Sequence, residues 1–75
     1  MSTELQALER AIELLGGQAA LGKAVGKSQA HVWSWLHRSK RVPADMAIRV
    51  ETATNGQVLR QELRPDLYPY QGEAA

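Results

Sequence analysis

The chain has 75 residues, enough for one small domain, with 44% hydrophobic and 23% charged residues, as in ordinary globular proteins. It has no cysteine, which excludes disulfide frameworks, thiolate metal sites and cysteine nucleophiles. No apolar run approaches the ~20 residues of a membrane span, and the polar start MSTELQALER has no signal-peptide core, so a cytoplasmic protein away from membranes is expected.

Net charge is only +1, but it is unevenly placed. Glu4, Glu9 and Glu13 outweigh Arg10 in residues 1–13. Residues 14–44 hold Lys23, Lys27, Arg38, Lys40 and Arg41 and no acid, and residues 45–75 are mildly acidic again. A central basic block suits a polyanion, because neutralised phosphates release counterions. An unevenly charged, solvated surface is the alternative.

No segment alternates over strand lengths, whereas several repeat at three and four residues, so the pattern predicts an all-α, five-helix bundle. In the first helix Leu5, Leu8, Ile12 and Leu15 form a stripe beside Ala11. Ser2 or Thr3 caps it, and Gly16-Gly17 stops it. A second, short helix runs over Gln18–Val25 to Gly26. A third starts at the N-cap Ser28 and reaches about residue 37, with Val32, Trp35 and Leu36 on its apolar face. A fourth has Pro43 in its first turn and runs to about Thr54, with Ala47, Val50 and Ala53 inward and Met46 and Ile48 at the sides. A last piece over about 58–64 stops at Pro65. Residues 1–69 form the predicted domain, and 70–75 are an expected flexible tail.

The stretch QAALGKAVGKSQAHVWSWLH (18–37) meets the demands of a helix-turn-helix. Leu21 and Val25 can face Val32 and Trp35. Gly22 sits where the two helices approach, leaving no room for a side chain larger than Ala. Gly26 falls where the turn needs a left-handed residue. In such a unit the second helix enters the major groove.

The spacing Gln18–Leu21–Gly22–Val25–Gly26–Val32–Trp35 resembles the Cro/repressor helix-turn-helix class. With RVPADMAIRVETATNG and LRQELRPDLYP, the run over roughly residues 10–69 looks like the prophage Cro-like regulators, including YdaS-type proteins. The resemblance implies a lambda-repressor-like fold and a transcription regulator, most readily a phage or prophage repressor. In two departures, Gly22 stands where Ala is usual and Trp33 where a small polar residue is common.

At 100° per residue, Ala30, Trp33, Ser34 and His37 point away from the apolar face of the third helix, flanked by Gln29. This outer face has no Glu, Asp or Lys, unlike an ordinary solvated helix. Candidate base contacts are Ser28, Gln29, Ala30, Trp33, Ser34 and His37. Gln can pair bidentately with adenine, and Ala or Trp can touch thymine methyls. For Trp33, packing on the turn before the fourth helix or on a second subunit is the alternative.

Candidate phosphate contacts are Lys27, Arg38, Lys40 and Arg41, with Gln18 at the free amides of its helix, the part such a Gln plays in the family. His31 and His37 are too far apart around the helix to share a metal, and His31 reads as a structural or edge contact. No metal, cofactor motif or catalytic constellation is expected, and the chain does not read as an enzyme.

One unit of this size calls for a homodimer on a pseudo-palindrome, with recognition helices ~34 Å apart, formed either in solution or only on the double-stranded DNA. Val58, Leu59, Leu63, Leu67 and Tyr68 are the candidate dimer residues, and Tyr68 and Tyr70 can serve either the core or a dimer. Two other functions stay open. One is an antitoxin-like module that binds a protein partner, a toxin, through Trp33 or the tail, as the YdaS resemblance implies. The other is an activator touching RNA polymerase through acids such as Glu9 and Glu13.

Overall fold

The computed structural model describes residues 3–69, and all regular structure among them is helical. Helix α1 spans Thr3–Leu15, α2 Gln18–Val25, α3 Gln29–Ser34, α4 Ala47–Ala53 and α5 Arg60–Leu63. Five α-helices, as the periodicity predicts, enclose one core built on Leu8, Leu21, Val32, Met46, Val50 and Leu63. Ser2 and Tyr70, like the rest of the predicted tail, lie outside the described residues.

The elements differ from expectation in instructive places. Thr3 lies inside α1 rather than capping it. The inward face of α1 centres on Ala7, Leu8 and Ala11, while Ile12 and Leu15 are only partly buried. That face packs against α5 and α2. The third helix continues as a wider π-helical turn over Trp35–Ser39, closed by Lys40 in the left-handed conformation (φ 62°). Pro43 precedes the fourth helix instead of starting it, and a 3₁₀ turn over Ala44–Met46 leads into α4. Here Pro43 is extended (φ −60°, ψ 156°), which a capping position accepts.

Long polar side chains fasten the irregular segments. Thr54, buried, donates to the Val50 carbonyl (3.0 Å) and accepts from Val58 N–H (3.2 Å), fixing the turn between α4 and α5. Glu51 receives both the backbone N–H of Arg60 (2.7 Å) and its Nε (2.9 Å). Arg64 holds Asp66 through two parallel bonds (3.0 and 2.8 Å) and donates to the Val42 carbonyl (3.1 Å). Residues after α5 are thereby tied to the loop before α4. Such forked guanidinium–carboxylate pairs are the stronger kind of surface ion pair.

This packing corrects the expected dimer surface. Val58 and Leu63 are wholly buried in the monomer core and present nothing to a partner. Tyr68 packs against the same core, with the Arg60 guanidinium 5.7 Å from its ring centre. Leu59 and Leu67 remain exposed, at 38% and 46%. Helical period alone cannot separate these residues, because α5 has only four residues and one short turn of helix has no dependable inward face.

Candidate nucleic-acid interface

The two helices α2 and α3 meet at a tight turn. Gly26 caps α2 with φ 79°, a conformation that only glycine takes without a Cβ penalty. Lys27 N–H then donates back to the Gly22 carbonyl at 2.7 Å. A Cβ at Gly22 would lie 2.9 Å from Lys27 O and from Ser28 C and O. The limit is tighter than the sequence suggests, since even alanine would press on backbone. Leu21, Val25, Val32 and Trp35 are buried along the seam, as expected of a helix-turn-helix.

Ser28 caps α3 reciprocally with His31. Its hydroxyl accepts from the His31 N–H (3.4 Å), and its own N–H donates to His31 Nδ1 (3.3 Å). The same hydroxyl lies 2.9 Å from Nδ1. His31 takes the place of the Glu or Gln usual in such a box. Ser28, read as a base contact, therefore has its hydroxyl engaged at the helix start, and His31 has a structural task.

The outward face is largely as the helical angles place it. Gln29, Ala30, Trp33 and His37 are exposed, whereas Ser34 is half-buried. Trp33 is 44% exposed, a large apolar surface to leave in water. Its ring stacks on His37, with centroids 4.5 Å apart and planes tilted by 37°. The indole thus has a ring partner one turn further along its own helical run. Gln29 Nε2 donates to Gln18 Oε1 at 2.6 Å, so the starts of α2 and α3 are linked through their side chains.

Among the candidate phosphate contacts, Lys27, Arg38 and Lys40 are exposed. Arg41 is differently employed. Its guanidinium lies 3.6 Å from carboxylate oxygens of both Glu4 and Asp66, knitting the loop to α1 and to the chain after α5. These partners lie far from Arg41 in sequence, so the charge run alone does not show them. Arg49, outside the predicted set, reaches from α4 to donate to the Val25 carbonyl at the end of α2 (3.2 Å). Its α4 lies outside the basic block, so the charge run gave no signal for it.

An all-α domain whose second and third helices form this unit, with an uncovered and acid-free outer face, is a Cro-like helix-turn-helix domain. A solved structure described as "Structure of the Cro protein from putative prophage element Xfaso 1 in Xylella fastidiosa strain Ann-1" is similar at a TM-score of 0.80 and 39% identity. The match covers 85% of this chain and 97% of that one. The chain belongs to the family described as "Bacterial toxin YdaS", which it matches over residues 8–71. A relative from Escherichia coli (strain K12), "Putative transcriptional regulator YdaS", is 36% identical over 67 residues, 89% of this chain and 68% of that protein. The family description names a toxin, where the resemblance implied an antitoxin, and the relative is named for regulation.

Proposed function

We propose that this chain is a cytoplasmic transcription regulator that binds double-stranded DNA sequence-specifically, laying α3 in the major groove. The observation that carries this reading is the outer face of α3 and the π-helical turn that continues it: exposed Gln29, Ala30, Trp33 and His37, without an acid, on a helix fixed by the Gly26 turn and the Ser28–His31 cap. Base reading falls to Gln29, Ala30, Trp33, Ser34 and His37, with Ser28 at the helix start. Gln18, held by Gln29, lies at the N-terminus of α2, where free amides favour a phosphate. Lys27, Arg38 and Lys40 supply the register-fixing charge. The relative named as a regulator and the Cro likeness support the same assignment.

The finer reading is a repressor of a phage or prophage promoter that acts by occupying it. A single module of this kind buries only about 600–1,000 Å² on DNA, so two copies on a pseudo-palindrome are proposed, meeting through Leu59 and Leu67. Selection from random duplexes, followed by footprinting of DNA flanking the gene, tests this. Two protected half-sites about one helical turn apart are expected, and the absence of any enriched sequence contradicts the reading.

The family's description names a toxin, and an antitoxin-like module whose main partner is a protein is the second reading. Ionic strength separates the two. DNA binding weakens steeply with salt, whereas an apolar protein contact does not.

A further inference from the structure

A trough runs along the seam between α2 and α4, away from the recognition face: no residue of α3 lines it. Its volume is ≈ 550 Å³, and Ala24, Val25, Ala53 and Ile48 make it largely apolar. Ile48 is 41% exposed there, with its side chain turned from the core that Ala47 and Val50 enter. Each helix adds one cation, Lys23 from α2 and Arg49 from α4. Among the described residues neither has an acidic partner, and the Arg49 guanidinium is held in place by its bond to the Val25 carbonyl. The trough is open along its length, unlike the concave sites that enclose small molecules.

We propose that this seam docks an acidic amphipathic helix of another protein. An apolar side chain of that helix would lie against Ile48, Ala24 and Ala53, and flanking carboxylates would meet Lys23 and Arg49. A helix laid in a groove between two others, with anchors at three- and four-residue spacing, is a recurrent mode of recognition. The cations select the charge of the partner, because an arginine fixed before binding loses little freedom when it pairs. A second copy of this chain fits less well. Glu4, Glu51, Glu62 and Asp66 are already paired with arginines. Of the other described acids, Glu9 and Glu13 stand on α1, where Leu14 is the one exposed large apolar side chain, and Asp45 stands in the short 3₁₀ turn, so none lies on a helix with a row of free apolar anchors. Since α3 takes no part, the seam stays open while DNA is bound, and a docked protein would ride beside the duplex.

The test is amide chemical-shift mapping on the full chain. The probe is a synthetic helical peptide with leucines at three- and four-residue spacing, flanked by glutamates. A control peptide carries lysines in their place. Shifts confined to Ala24, Gly26, Ile48 and Ala53 are expected with the glutamate peptide, and none with the lysine peptide. Lys23→Glu, an exposed helix position that leaves the core intact, is expected to weaken binding about fivefold, as loss of a ~1 kcal/mol exposed pair does. Ile48→Ala should weaken it as well. Equal binding of both peptides, no shift at millimolar peptide, or concentration-dependent shifts of the protein alone (a second copy) would overturn the proposal. So would the same amides shifting with a DNA duplex, which would assign Lys23 and Arg49 to the nucleic-acid interface.

Discussion

Gln29 Nε2 donates to Gln18 Oε1 across 2.6 Å, joining the first residue of α3 to the first residue of α2. One amide thereby orients the other, which leaves each with a spare donor or acceptor on a defined side. For the proposed interface this means that a base-reading group and a phosphate-reading group are set as a unit. Gln18→Ala and Gln29→Ala should each leave thermal stability within about 0.5 kcal/mol, since the pair is exposed. Each should reduce affinity for the selected duplex. The two losses should be non-additive in a double-mutant cycle, with a coupling of about 0.5–3 kcal/mol. Strict additivity would show the bond to be irrelevant to binding.

Gly22→Ala sets two effects against each other. Alanine gains about 1 kcal/mol of helix propensity over glycine. Its Cβ, however, would stand 2.9 Å from three backbone atoms of the turn, which the 2.7 Å bond between Lys27 N–H and Gly22 O holds close. Forced overpacking costs about 1–3 kcal/mol, and backbone yields less readily than a side chain, so the variant is expected to be less stable in urea unfolding. A stabilised variant would show that the turn relaxes freely.

Much of this was readable in advance, and the reasons are local. The Gly26 turn, the Ser28 cap and the inward set Leu21, Val25, Val32 and Trp35 follow from spacing within 18 residues, where helix geometry fixes who meets whom. The exposure of Trp33 followed from its angle to Trp35 on the same helix. What was not legible depends on contacts between distant segments. Nothing around Arg41 announces Glu4 or Asp66, and nothing around Val58 announces that the turn held by Thr54 swings it into the core. The π-helical turn after Ser34 has no composition signature either.

The pairing of Arg41 separates it from its neighbours in sequence. In salt titrations of DNA binding, Lys27→Ala and Arg38→Ala should each lower the slope of log affinity against log salt by about 0.9. Arg41→Ala should leave that slope unchanged and instead lower the melting temperature slightly, through the lost contacts to Glu4 and Asp66. A slope reduced by Arg41→Ala as much as by Arg38→Ala would place Arg41 on phosphate.

Acid should loosen the clasp made by residues after α5. The Arg64 guanidinium bonded to Asp66 draws its carboxyl down from the ordinary 3.8 to about 2. The side-chain bond from Arg60 lowers Glu51 in the same sense. A carboxyl with a lowered folded-state pKa contributes its full stabilisation above its unfolded value and loses it as pH falls toward the folded one. Melting temperature should therefore decline from about pH 4.5 down to about pH 2. In Asp66→Asn that decline should be shallower, and an unchanged acid limb would contradict the pairing.

The central claim is that the Trp33 side of α3 reads base edges. The most direct test compares wild type and Trp33→Ala on the selected duplex and on a random one at a fixed salt concentration. Wild type should prefer the selected duplex by at least about 10³. Trp33 is exposed, so the variant should fold normally and keep its affinity for random DNA while that preference shrinks by about tenfold or more. A folded Trp33→Ala protein with undiminished preference would contradict the claim.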